Sequence, residues 1–360
     1  MRNKLLFVYN YVSKENMTDE LKECASEQTV LALENALKSL AFEIINVNLY
    51  NENQLNEIIL ANQPISGAFV IAEGFLDSPH TLYDGSGALS VRKVLEAHNI
   101  PYTHSTPKTM EACRNKDLTY EVLQMAGVTI PKYFSLPTPA YKERQLDEAE
   151  ATIGYPMFVK PAGGGNSLGI DEMSICHNRE ELIRKFNQLG ELIGDQPVLI
   201  ETFLSGREFT VAVLGNADPQ VLPIIEFPND VQVRSHAVKA MEHEKRASFS
   251  LISRYEETGL QIANIALQVY EGLQGKDMIR LDMKTDDFGN IYVIDVNGTP
   301  SLSLKGSVSF MISSLGITMD ELIGFMVKEI IDEQASNENV QAAWESVRKK
   351  IMDPSHLVVA

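Results

Sequence analysis

Between Asp277 and Pro300 the chain reads DMIRLDMKTDDFGNIYVIDVNGTP, two runs of alternating apolar and polar residues parted by the turn-rich cluster Asp286-Asp287-Phe288-Gly289-Asn290. Period-two alternation belongs to strands with one face in a core, and two such runs about a short turn form a β-hairpin. With the turn centred between Phe288 and Gly289, Asp282 stands opposite Asp295 and Arg280 opposite Asn297, all four on one face. Two carboxylates and an amide oxygen gathered on a sheet face are costly to bury unless a hard cation sits among them. Oxygen ligands of this kind suit magnesium bridged to substrate phosphates. Arg280 beside them can stabilise a developing oxyanion or phosphoryl group. The competing reading is a solvated polar face on an ordinary hairpin, and a register slip of one residue would scatter the set.

The rest of the chain supplies a frame for this hairpin. At 360 residues, with 44% hydrophobic and 22% charged residues, it is long enough for two or three domains with buried cores. The runs LLFVYN, FEIINVNLY and ISGAFVIAEG alternate with a helical pattern from about Asp19 to Leu40, in which Val30, Leu33, Leu37 and Leu40 recur at helix spacing. This is β-α-β order, hence a mostly parallel sheet. A helix from about Ala88 to His98 and the short run IPYTHS close a first domain, residues 1–105. Ser105-Thr106-Pro107 then caps a helix expected to run unbroken to Gly127. Strands KYFSL, MFVKP and PVLIETF around the helix NREELIRKFNQLG give residues 106–203 the look of a small α+β domain. Residues 204–360 hold strands EFTVAVLG and VLPIIEF, a helix from about Ser253 to Leu273, the hairpin and a helical tail. The polar span PNDVQVRSHAVKAMEHEKRAS between them reads as a long, mobile loop.

Composition removes several classes of function. A formal charge of -18 repels nucleic acid and anionic membranes, and no run of lysines and arginines overrides it locally, which leaves a small molecule as the expected partner. Cys24, Cys113 and Cys176 are widely spaced and form no C-x-x-C, so they read as reduced thiols of a cytoplasmic protein. The start MRNKLLFVYNYV turns polar at once and reads as a first strand rather than a signal, and no apolar stretch approaches the roughly 20 residues of a membrane span.

Two further stretches carry chemistry. In PMFVKPAGGGNSLGI, Lys160 ends an apolar strand and a triple glycine follows. The loop is neither a Walker sequence nor a dinucleotide fingerprint. Consecutive glycines can still turn several backbone N–H groups toward one anion, with the lysine adding a point charge. A glycine-rich hairpin beside a surface lysine explains the stretch equally well. In VLIETFLSGREFTVAVLG, Glu201 ends one strand and Glu208 begins the next across Ser205-Gly206, and solvated strand-end glutamates are the plain alternative.

Taken together, a lysine before a glycine-rich loop, E-x6-E, and R-x-D followed by D-x-N-x-x-P resemble the ATP-grasp superfamily, most closely the D-alanine:D-alanine ligases, over roughly residues 1–330. The resemblance implies a mixed α/β and α+β architecture of three domains: an N-terminal Rossmann-like parallel sheet, a central lid domain and a C-terminal catalytic domain. It implies ATP and magnesium, two ions of it, as cofactors, and suggests a homodimer. By implication Lys116 and Lys160 contact the nucleotide phosphates, and the loop carrying Gly164, Gly165, Asn166 and Ser167 folds over them. Glu201 and the backbone of Thr202, Phe203 and Leu204 meet the adenine, and Glu208 the ribose. Asp282, Asp295 and Asn297 resemble the magnesium ligands, Arg280 the arginine that stabilises the tetrahedral transition state, and Lys239 the mobile-loop lysine. The implied reaction has two steps. A carboxylate attacks the γ-phosphate of ATP to give an acyl phosphate, and an amine then displaces phosphate to leave an amide.

The departures cluster on the amino-acid pockets. The family's early glutamate, which holds the first substrate's ammonium, has only Glu23 and Glu27 as stand-ins. AEGFLDSPHTLYDGSG keeps Asp84-Gly85 but loses the histidine of the family's histidine-glycine pair and the glutamate that precedes the aspartate, Asn166 replaces the first of two serines, and Pro300-Ser301 stands for proline-glycine. The serine that binds the second substrate's carboxylate falls near Gly306 or Ser307. The expectation is therefore a carboxylate-amine ligase for substrates other than two D-alanines. A D-alanine:D-alanine ligase with a divergent pocket and a nucleotide-binding module without ligase activity are the alternatives.

Overall fold

The computed structural model describes residues 3–353 apart from 139–140, 142, 166, 229–232, 235–237, 239–248, 255 and 332–333. The first apolar run is strand β1 (Lys4–Tyr9), fully buried along its centre. Helix α1 (Glu27–Ser39) follows, then β2 (Glu43–Asn48), α2 (Glu52–Asn62), β3 (Gly67–Val70) and α3 (Ser86–Ala97). β1 lies between β2 and β3 and is parallel to both, as β-α-β order requires. The helix expected from Asp19 begins only at Glu27, because Ser26 supplies the cap by accepting from the Thr29 backbone N–H. Asp19–Leu21 make a single 3-10 turn instead.

The helix expected from Thr106 to Gly127 is two helices, α4 (Pro107–Arg114) and α5 (Lys116–Met125). Thr106 caps the first as expected. The break falls at Asn115, whose backbone is extended at φ -124° and bridges to Gly163, and the next N–H, of Lys116, donates to the Ala162 carbonyl at 2.8 Å. Hydrogen bonds to the glycine loop thus replace helical ones, and Lys116 starts its helix beside that loop.

A second sheet follows. Its elements are β4 (Tyr133–Leu136), α6 (Glu143–Ile153), β5 (Met157–Pro161), β6 (Ile175–Cys176), α7 (Arg179–Ile193) and β7 (Val198–Thr202), with antiparallel order β4-β7-β5-β6. α7 buries Leu182, Phe186, Leu189 and Ile193, one stripe at helix spacing, against Met157, Val159, Val198 and Ile200 of the strands. Lys160 and Glu201 lie on the opposite face, because strand residues alternate.

The third sheet comprises β8 (Glu208–Leu214), β9 (Gln220–Val221), β10 (Ile224–Glu226), β11 (Ser250–Ile252), β12 (Met278–Thr285) and β13 (Ile291–Asn297). Its order is β11-β10-β8-β12-β13, with β9 on β8 and all pairings antiparallel. Phe209, Val211, Ile279, Leu281 and Met283 pack on α8 (Glu257–Gly272) through Ile262, Ala266 and Val269. Each such side chain contributes about 1.5–3 kcal/mol by leaving water. That burial commits the alternate residues of β8 and β12 to the other face. Helices α9 (Ser307–Ser314), α10 (Met319–Lys328) and α11 (Glu338–Met352) complete the chain. Met311, Leu322 and Met326 join Leu5, Phe7 and Phe69 of the first sheet to Leu214 and Met278 of the third in one core. Among the described residues no single helix is long and apolar enough to cross a membrane.

Candidate active site

The hairpin brings together the four residues its alternation predicts. Arg280 pairs with Asn297 and Asp282 with Asp295, but the register shifts beyond Asp282, where Met283 pairs with Val293. The turn is centred on Phe288 rather than between Phe288 and Gly289, closed by the Gly289 N–H on the Asp286 carbonyl and the Asp286 N–H on the Asn290 carbonyl, and a bulge at Ile294 restores the expected register toward the strand ends. The bulge has a consequence of its own: the Ile294 carbonyl accepts from Lys160 Nζ at 3.1 Å. Arg280 Nε lies 3.5 Å from Asp282 Oδ1, within ion-pairing range, yet it is buried without a hydrogen bond. Asn297 Oδ1 accepts from the Thr299 backbone N–H at 3.0 Å.

On the facing sheet Lys160 and Glu201 sit diagonally across β5 and β7, with Phe158 directly opposite Glu201. Lys160 Nζ lies 2.7 Å from Glu201 Oε1, with both side chains only 5% exposed. The Tyr120 hydroxyl, on α5, donates to Glu201 Oε2 at 2.8 Å. Burial and the Glu201 carboxylate together hold the phenol well above its ordinary pKa, so it stays a donor. Lys116 Nζ is 3.6 Å from Asp295 Oδ1 and donates to the Gly164 carbonyl at 3.1 Å. Burial pulls the Lys116 pKa down and Asp295 opposes it.

Lys116, Lys160, Glu201, Asp282 and Asp295 line an open cleft of roughly 680 Å³ between the second and third sheets, with Thr202, Phe203 and Leu204 along one edge. Glu208 faces into it and is held by Arg234 Nη1 at 2.8 Å and Lys284 Nζ at 3.6 Å, Lys284 standing directly across the strand pair. Ser167, in the glycine loop, donates to the Arg234 carbonyl at 3.3 Å and so ties the loop to the cleft's far side. Asn166 and Lys239 lie outside the described residues, as does most of the expected mobile loop.

A second, larger cavity of roughly 1660 Å³ opens on the other side of the hairpin ends and is shared with the N-terminal sheet. Glu23 and Glu73 line it together with Arg114, Arg280, Asp295 and Asn297. Arg114 Nη1 lies 3.5 Å from Glu73 Oε2, with both side chains under 10% exposed, and Arg114 Nη2 donates to the Leu82 carbonyl. Burial opposes the Arg114 charge, yet Glu73, Glu23 and Asp295 hold its pKa above the ordinary value. Burial raises the Glu23 carboxyl, with Arg114 opposing. Of the two stand-ins left open by sequence, Glu23 is at the cavity and Glu27 is exposed on the first turn of α1. Ser301 and Ser303 line the cavity, whereas Gly306 caps α9 and Ser307 is buried at its start.

Sequence reasoning missed Tyr120, Glu73, Arg114 and Lys284. Lys284 was within reach, since it shares the alternation that picks out Arg280 and Asp282. The other three are brought in by packing between elements far apart in the chain and carry no local pattern.

The set is chemically coherent. Among the described residues no three His, Cys, Asp or Glu side chains gather closely enough to hold a metal. Two carboxylates and an amide oxygen suit instead a hard ion that takes its remaining oxygens from phosphate. Lysines on both walls and a glycine loop above make a place for a polyphosphate.

Comparison with known proteins agrees. A family model described as D-ala D-ala ligase C-terminus matches residues 122–328. The D-alanine--D-alanine ligase of Bacillus velezensis is 25% identical over 325 residues, covering 89% of this chain and 86% of that protein. That of Bacillus cytotoxicus is 26% identical over 255 residues, 70% of this chain and 69% of the relative. The crystal structure of D-alanine--D-alanine ligase from Bacillus anthracis complexed with ATP superposes with a TM-score of 0.67 at 21% identity, covering 96% of this chain and 99% of that one. The VanG D-Ala:D-Ser ligase of Enterococcus faecalis gives 0.67 at 19% identity, covering 91% and 99%. With more than half of the chain inside the family model and the hairpin set in place, the chain belongs to the D-Ala-D-Ala ligase family of ATP-grasp proteins.

Proposed function

We propose that the protein joins a carboxylate to an amine at the expense of ATP, with magnesium held by Asp282, Asp295 and Asn297, and that its acid-amine pair is not two D-alanines. As a family member it is an ATP-dependent ligase that forms carbon–nitrogen bonds. The observation that supports the reading on this chain is the convergence of Lys116, Lys160 and Arg280 with the hairpin's oxygens at the meeting of two cavities. The smaller cleft suits a nucleotide. There Lys160 and Lys116 meet phosphates, Glu201 and the backbone from Thr202 to Leu204 meet the base, and Glu208 meets the ribose. Each Glu201 oxygen keeps a second lone pair beside the one given to Lys160 or Tyr120, so it can still accept from a base amino group. Magnesium, when bound, neutralises charge on the phosphates. Arg280 is placed to stabilise charge developing where acid and phosphate meet. Closure of the loop around Ser167 excludes water that would hydrolyse an activated acid.

The larger cavity suits the two organic substrates, with Glu23 as the group that receives an ammonium. Its altered part is the buried Glu73–Arg114 pair, in which Glu73 precedes Gly74 where the family pattern has histidine before glycine. A buried ion pair in place of an imidazole changes both shape and field at the acid's end, which supports a substrate other than D-alanine. The relatives' names favour two D-alanines as the second reading. Hydroxylamine trapping separates them: with ATP, magnesium and single candidate acids, the acid that yields a hydroxamate is the one activated. A hydroxamate from an acid other than D-alanine is expected, and one from D-alanine alone would install the second reading.

A further inference from the structure

Arg92, on α3, is fully buried, and its guanidinium is spent on three neutral oxygens. Nε donates to the Ser105 carbonyl at 3.0 Å and Nη1 to the Ala88 carbonyl at 2.9 Å. The first ties α3 to the segment that leads into α4, and the second stays within α3. Nη2 goes elsewhere: it donates to Thr299 Oγ1 at 2.8 Å, across 207 positions of sequence. Hiding a cation completely among neutral acceptors costs several kcal/mol, which a packing role alone does not require. An aliphatic side chain would fill the same space without that cost.

Thr299 is the residue whose backbone N–H donates to Asn297 Oδ1. That bond fixes which end of the carboxamide is oxygen and which way it points, and it leaves the oxygen's second lone pair available. The turn carrying it is clamped from two sides. A Cβ on Gly298 would lie 2.6 Å from Met110 Sδ of α4, so helix and turn are in direct contact there, and Thr299 Oγ1 lies 3.6 Å from the same sulfur. α4 therefore presses the turn while α3, through Arg92, holds it. We propose that Arg92 is a positioning residue of the cation site, fixing Thr299 and through it the orientation of the Asn297 carboxamide. Orienting partners of this kind tune ligand geometry and typically change metal affinity 10–100-fold when removed.

The inference rests on the reading of Asp282, Asp295 and Asn297 as cation ligands, so its test must separate the two. Manganese binding to the full-length protein, in the presence of a non-hydrolysable ATP analogue, is read by electron paramagnetic resonance with thermal unfolding monitored in parallel. Thr299→Val keeps the shape and loses the acceptor, and is expected to weaken manganese binding about tenfold. Thr299→Ser keeps the hydroxyl and is expected to bind as the wild type does. Arg92→Lys keeps the charge but not the fork, and is expected to follow Thr299→Val. Asn297→Ala is the reference and is expected to weaken binding at least as much. Wild-type affinity in folded Thr299→Val and Arg92→Lys, with Asn297→Ala impaired, would overturn the positioning role alone. Wild-type affinity in Asn297→Ala as well would overturn the ligand reading beneath it.

Discussion

Lys160 and Glu201 form an ion pair that is nearly inaccessible to water and is completed by Tyr120 on one side and the Ile294 carbonyl on the other. Removing one member of such a pair strands the other, at a cost of about 3–5 kcal/mol. Lys160→Met should therefore lower the unfolding temperature and, because the ammonium faces the cleft proposed for the nucleotide, weaken ATP binding more than tenfold by calorimetry. Glu201→Gln keeps an acceptor for Lys160 and should be the milder of the two. Equal ATP affinity in wild type and Lys160→Met would remove Lys160 from the phosphate site. Strand period made these positions legible, since a lysine or carboxylate at the alternate place of an apolar strand has one face to occupy. Tyr120, Glu73 and Arg114 were not legible, because an aromatic on a helix or a polar residue in a loop acquires a partner only when distant elements meet.

Two interruptions in regular elements shape the site: the break at Asn115 between α4 and α5, and the bulge at Ile294 in β13. Both were expected to be continuous, since neither a lost helical hydrogen bond nor an extra strand residue leaves a mark in local propensity. The hairpin pairing at its functional end was nonetheless read correctly, because the displaced centre of the turn and the bulge offset each other. The corner from β7 to β8 is constrained more visibly. A Cβ on Gly206 would lie 2.1 Å from Thr285 Oγ1 and under 3 Å from the Thr285 and Asp286 carbonyls. Gly206→Ala must push this corner off β12 and should cost roughly 1–3 kcal/mol in denaturant unfolding. Because Glu201 and Glu208 flank the corner, ATP affinity should fall with it. Unchanged stability would show that the corner yields freely.

At the scale of the molecule, the N-terminal and C-terminal sheets are joined at a buried carboxylate. Asp277 accepts from the His104 backbone N–H and from Asn216 Nδ2, each at 2.7 Å. Burial raises its pKa to about 6 and lowers that of His104 to about 3, which leaves the imidazole neutral near pH 7. An unfolded aspartate loses its proton near 3.9. Between these values the folded state binds more protons, so the stability contributed here is present at low pH, falls as pH rises from about 4 to about 6, and is level above that. Asp277→Asn should lack this slope. The stability of wild type relative to the variant should accordingly decline by roughly 2 kcal/mol from pH 4 to pH 7, and parallel profiles would contradict it.

The same scale sets the limit of what the sequence conveyed. The parallel first sheet and the antiparallel hairpin followed from apolar patterning, whereas the larger cavity is walled by Glu23, Glu73, Arg114 and the hairpin ends, which no single stretch of chain contains. On the proposed reading, substrate identity resides in that cavity. The direct measurement is ADP release with ATP, magnesium and a matrix of candidate acids and amines, D-alanine included, with products identified by mass. Amide formation from a pair other than two D-alanines is the predicted result. Turnover of D-alanine alone would contradict the altered pocket, and no ADP release with any pair would contradict the ligase itself.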